Sequence, residues 1–349
     1  MISEEEFFLE RKIKKWLDER KASFKGTDEE FDKKIDKEFS KLVFTISKGI
    51  AKSITDYCIS PKSDFRRHEK QIGKKIKNRY SLGLELFTSY IELNTQISSI
   101  TYNKYYKLFT TLEDHQKLDT LIALHVRACQ IASEIRILVF GGFADGAHAR
   151  WRTLHEVCIT FLFLYDGDYE LVSMYKDYLV IEQWRKAVEY QNSYKRLGWD
   201  PIPNDELEEL EGEQKRIVQS RGRAFSKSYG WAMDILPEGR RNIREIEKYV
   251  GMDHFRSIYA WAGDNVHAGV AGITERLSLR DSEQYNFLTG PNDHGFLDPI
   301  QFTVSSLSEM SYTLLAMEKS TFNKIFEELL RFFGEEVVQE FSKQEEKDN

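Results

Sequence analysis

"EDHQKLDTLIALHVRACQIASEIRILVFGG", residues 113–142, decides the fold. Leu118, Leu121, Ile122, Val126, Cys129, Ile131, Ile135 and Leu138 recur at the three-and-four spacing of a helical face. They predict an amphipathic helix over 113–140 with that side buried. The pair Gly141–Gly142 then breaks or kinks it.

The same rhythm extends in both directions. Toward the N-terminus, residues 3–22 read as a charged helix carrying Phe7, Phe8, Ile13 and Trp16. A second helix over 28–57 carries Phe31, Ile35, Phe39, Val43 and Ile46. Residues 79–111 are helical in pattern, although "TSYIELNTQISSITY" holds enough β-branched residues to leave a strand open. Toward the C-terminus, helices are predicted from 145 to about 165, over 169–197, 211–235 and 238–250, through "DHFRSIYAWAGDNVHAGVAGITERL", and over 299–342 as one or two. "GWDPIPNDELEELEGE" holds two prolines and an acidic block and is expected to be an exposed, mobile linker. Only six prolines occur in 349 residues, which favours long helices over many turns. No repeat of solenoid period is present. The expected fold is therefore all-α: a helical bundle core over 113–342, an N-terminal helical region over 1–112 and a disordered tail over 343–349.

Composition narrows the function classes. The three cysteines, Cys58, Cys129 and Cys158, form neither a disulfide framework nor a CxxC zinc set. The charged start lacks the apolar core of a signal peptide. The longest apolar run, 157–165, is far below the ~20 residues of a membrane span. A soluble cytoplasmic protein with no membrane partner is expected. Net charge is −7, yet residues 41–80 hold 11 Lys/Arg against 3 Asp/Glu. That block could meet the phosphates of RNA, or be a solvated helix face.

The chemistry concentrates in "DGAHARWRTLHE", residues 145–156. At about 100° per residue, Asp145, His148, Arg152, His155 and Glu156 share one arc, opposite Trp151, Leu154, Val157, Phe161 and Leu164. Arg152 and Glu156 are four apart and can pair. A buried arginine keeps its proton and needs an anion, which Glu156, a second acid or a ligand phosphate could supply. In "YAWAGDNVHAGVAG", residues 259–272, Arg256, Tyr259, Gly263 and His267 share a helical face. Each glycine there weakens a helix by ~1 kcal/mol, so close packing or approach to a ligand should compensate. His267 could move a proton near neutral pH.

"GGFADGAHARWRTLHEVCITFLFL", "YGWA" at 229–232 and "YAWAGDNVHAG" together resemble an uncharacterised all-helical bacterial family, a domain of unknown function. Its pattern of R-x-x-x-E on one helix and a later Tyr…Asp/Asn-x-x-His falls here on Arg152, Glu156, Tyr259, Asp264 and His267, over roughly residues 115–280. The resemblance implies a fold and brings no activity with it. A looser similarity is to the HEPN class of helical ribonucleases, many of them toxins or antiphage effectors. Its Arg-to-His spacing matches Arg150 and His155 in "RWRTLH", but on a regular helix those two lie about 140° apart.

Two functions follow as expectations. The first is a metal-independent ribonuclease or toxin-like effector of a bacterial defence or toxin–antitoxin system. In it His267 moves the proton, Arg152 stabilises the transition state, Glu156 orients Arg152 and Tyr259 supports the base or phosphate. The second is a non-enzymatic sensor or scaffold, in which the same residues form a structural ion network or a small-ligand pocket. A metal site built from Asp145, His148, Glu156 and His267 is a weaker third option, because the second helix carries no ExxH pair. No cofactor or metal is expected. A homodimer and a partner protein from the same operon are.

Overall fold

The computed structural model describes residues 14–60, 63–279, 289–318 and 320–346. Among these the protein is an all-α multi-helix bundle with an N-terminal helical region, and no strand occurs. The chain divides into two compact units, Met1–Lys70 and Gln71–Asn349.

The first unit holds a helical hairpin. Helix α1 covers residues 14–23 and α2 covers Asp28–Ile59. Phe7, Phe8 and Ile13 of the expected first helix lie outside the described residues. Thr27 and Glu30 cap α2 reciprocally: the Thr27 hydroxyl accepts from Glu30 N–H and the Glu30 carboxylate accepts from Thr27 N–H. Trp16 meets Phe39 at 6.2 Å and Phe24 meets Phe31 at 5.2 Å between ring centroids, joining the two helices.

Helix α3 runs Asp64–Leu108, with a local departure from helical geometry at Tyr80. The β-branched stretch is helical because burial decides it. Tyr90, Asn94, Ile97, Ser98, Thr101 and Tyr105 face the core at three-and-four spacing. Thr88 and Thr95 turn their hydroxyls onto the carbonyls of Leu84 and Ile91 one turn back.

Helix α4, Leu112–Phe140, is the predicted amphipathic helix. Its buried arc holds Leu118, Leu121, His125, Ala128, Cys129, Ile131, Ala132, Ile135 and Val139. Val126, expected inside, stands about 100° from His125 and is 49 % exposed. His125 is fully buried and bridges Ser98 of α3 at 2.6 Å and Ser311 at 2.7 Å. Burial pushes its pKa down to about 4, so it stays neutral.

Helix α5, Ala144–Asp166, touches α4 along its length and is the centre of the second unit. Trp151, Leu154, Cys158, Phe161 and Leu164 are fully buried. The Trp151 indole donates to the Phe302 carbonyl at 2.9 Å. Helix α6, Tyr169–Leu197, ends at Gly198 in the left-handed region.

The acidic block forms the first half of α7, Asn204–Arg221, which buries no residue. The turn before it is tied down: Ile202 and the Gln191 side chain exchange hydrogen bonds, and Tyr190 donates to the Asp200 carbonyl. Residues 222–242, partly predicted as helix, form short 3-10 turns instead. Then follow α8 (Ile243–Tyr249), α9 (Arg256–Asp264), the single turn α10 (Ala271–Thr274), α11 (Leu297–Ala316) and α12 (Thr321–Glu345). Helix α11 lies against both α5 and α12.

Candidate functional site

Arg152 and Glu156 project from α5, Tyr259 from α9, and His267 from the irregular chain just beyond it. The sequence pattern continues α9 through His267, whereas the helix stops at Asp264. His267 N–H still donates to the Gly263 carbonyl at 2.9 Å, which keeps its side chain over the same face. Four contacts bring the residues together. Arg152 Nη1 lies 3.2 Å from His267 Nε2. The Arg152 guanidinium carbon stands 4.3 Å from the Tyr259 ring centroid. The Tyr259 hydroxyl donates to Glu156 Oε1, and Arg152 Nε is 3.7 Å from that oxygen.

Gly263 explains how α9 comes so close. A Cβ at this position would stand 2.5 Å from Arg152 Nη1, so the glycine lets the guanidinium lie against α9 where a larger residue would make that flexible end shift. The glycine weakens α9 and the packed arginine compensates. The cation also faces the C-terminal turn of α9, where the helix dipole is negative.

This outer layer is half wet. The Arg152 side chain is 23 % exposed, that of Glu156 40 %, and His267 is exposed. Beneath it lies a dry layer. His155 of α5 and Glu247 of α8 are both fully buried, with Nε2 3.0 Å from Oε1. Since a carboxylate only accepts, His155 carries its proton on Nε2, and its buried Nδ1 has no hydrogen-bond partner among the described residues. Arg256 of α9 closes an ion pair with the other oxygen of Glu247 and stacks on Tyr259 at 4.9 Å. Tyr259 thus lies between the two layers. Burial and its bond to Glu156 push its hydroxyl pKa up to about 12, against the pull of Arg152.

The expected polar stripe of α5 therefore splits. Its outer half, Arg152 and Glu156, stays at the surface. Its edge beside Trp151 turns inward: His148 is fully buried, 4.6 Å edge-on to Trp261 and 5.8 Å from Trp151, and His155 joins Glu247. Asp145 sits elsewhere, accepting from Arg276 at 2.9 Å and from the Ser278 hydroxyl. Asp264 lines a cleft with Ser257, Trp261 and Arg276. Among the described residues no group of three or more His, Cys, Asp and Glu side chains could hold a metal ion. Arg150, about 140° around α5 from His155, is bound to Glu134 of α4, so Arg150 and His155 serve different partners.

Two cluster residues escaped the sequence reading. Glu247 lies in a helix of seven residues, too short to show a face. Tyr229, inside the quoted "YGWA", adopts the left-handed region at φ 52°, which costs a bulky side chain energy. The next residue must be glycine, because a Cβ on Gly230 would stand 2.0 Å from the Phe225 carbonyl oxygen. Burial and the Glu156 charge raise the Tyr229 hydroxyl pKa, while Arg152 and Arg256 lower it, so its ring lies in the field of the cluster.

No curated protein and no solved structure matches the chain. Residues 118–285, just under half of its length and the span holding every member of the cluster, match the model of a family of unknown function, DUF5677, to which the chain is similar.

Proposed function

We infer that the protein is a non-enzymatic helical scaffold or sensor, and that the cluster is a structural ion network fastening α8, α9 and the turns around them to α5. The observation that carries this reading is charge balance. Arg256 is paired with Glu247 and Arg152 with Glu156, and Glu247 also accepts the hydrogen bond from His155 Nε2–H. Within the cluster, among the described residues, two guanidinium cations meet two carboxylates, so neither arginine is a surplus cation for the extra charge of a phosphodiester transition state. His267 supports the same reading. Arg152 only donates, so the His267 Nε2 facing it is the accepting nitrogen, and a general base would need that lone pair free.

The ribonuclease reading rests on the exposure of His267 beside Arg152, and one experiment separates the two. Purified wild type and His267→Ala are incubated with total RNA, and both are expressed in cells. The scaffold reading expects intact RNA and equal growth for both proteins. RNA cleavage and growth arrest by the wild type, both lost in His267→Ala with the fold preserved, overturn it.

A further inference from the structure

We propose that the outer face of α12 is the contact through which two copies of this chain pair, antiparallel, about a two-fold axis. Helix α12 has two apolar faces. One holds Leu330, Gly334, Val337 and Phe341 and is buried. The other holds Phe322, Ile325, Leu329 and Phe332, which are 37 to 55 % exposed. Their steps of three, four and three residues make a narrow seam of the kind that a partner helix covers.

The occupant follows from the order of the seam. Its spacing reads the same from either end, with phenylalanines outside and branched aliphatics inside. Turned end for end, a second copy sets Phe322 against the second copy's Phe332 and Ile325 against the second copy's Leu329. In antiparallel coiled coils the two core positions of the heptad alternate across the seam in this way. A two-fold contact must be self-complementary, and a helix of unrelated sequence has no reason to match both ends. Charge at the rim permits the approach, because Arg331 pairs with both Glu328 and Glu335 on its own helix.

Area is consistent. Beside α12, a trough is lined by Phe333, by Ser133 and Arg136 of α4 and, over most of its wall, by α3 residues such as Thr88, Glu92 and Gln96. The four half-exposed side chains of the seam offer roughly 400 Å² of apolar surface per copy. An interface is only about 57 % apolar, so this corresponds to ~700 Å² per copy, within the range of standard complexes.

The test uses the full chain. Sedimentation velocity at tens of micromolar should give twice the 41.0 kDa chain mass for the wild type. It should give the single chain for Ile325→Lys and for Leu329→Lys, with unchanged circular dichroism. A wild type that sediments as one chain, bound to something else or alone, overturns the proposal, as do lysine variants that remain paired. In a Cys58→Ser background, mixing Ile325→Cys and Leu329→Cys chains should form a disulfide under oxidation that neither chain forms alone. Equal cross-linking in the separate chains overturns the antiparallel register.

Discussion

Tyr259 is the residue on which the two layers of the cluster meet. Its ring carries Arg152 and Arg256, and its hydroxyl holds Glu156. Tyr259→Phe keeps the ring and should cost about 1 kcal/mol, one hydrogen bond. Tyr259→Ala removes the surface between the guanidiniums as well and should cost about 3–5 kcal/mol. Urea unfolding compares them, and equal losses would show that the ring carries nothing. Arg152→Ala should be mild. Glu156, left without its cation, is 40 % exposed, so water takes up its charge. The loss is that of a half-exposed pair and one cation–π contact, about 1–2 kcal/mol. His125 provides a pH test. Its folded pKa is about 4 and its unfolded value 6.5, so below pH 6.5 the unfolded chain binds a proton that the fold refuses. Stability is complete above 6.5 and falls from there toward pH 4, by about 3 kcal/mol in total, with no further loss from this group below. His125→Gln should flatten that slope in unfolding midpoints measured from pH 7 to pH 4.

At the scale of elements, the long helices were legible because burial and period coincide in them. α4, α5 and α6 each present three-and-four patterns over more than twenty residues; the misses are single positions, Val126 of α4, which is exposed, and His148 and His155 of α5, which turn inward. The convergence of Arg152, Glu156, Tyr259 and His267 was legible for a similar reason: each pair recurs at helical spacing on its own segment. What could not be read is how the stretch from 222 to 270 is ordered, because its short turns, its left-handed tyrosine and the seven residues of α8 have no period. Its order comes from tertiary contacts that a one-dimensional pattern does not contain, foremost the pairing of Glu247 with groups 92 positions earlier. Gly263 is the element-scale test. Gly263→Ala would ordinarily favour a helix by ~1 kcal/mol. Here that gain should be cut, because the added methyl displaces Arg152 Nη1, the movable end of its side chain. The full gain in melting temperature for Gly263→Ala would mean that the arginine is not held there.

At the scale of the molecule, the proposed role of the cluster is to keep an irregular segment in register within an all-helical fold. Removing one member of a buried ion pair costs about 3–5 kcal/mol, because its partner stays charged without compensation, and Glu247 is fully buried. Local opening of the segment should therefore become easier without unfolding the rest, since α4, α5 and α11 are held by their own apolar contacts. Hydrogen–deuterium exchange across the whole chain, wild type against Arg256→Met, measures this directly. The predicted result is faster exchange, by a factor on the order of 100, confined to residues 243–264, with α4 and α11 unchanged. Exchange over 243–264 identical to that of the wild type would contradict the claim that the ion network fastens this segment to α5.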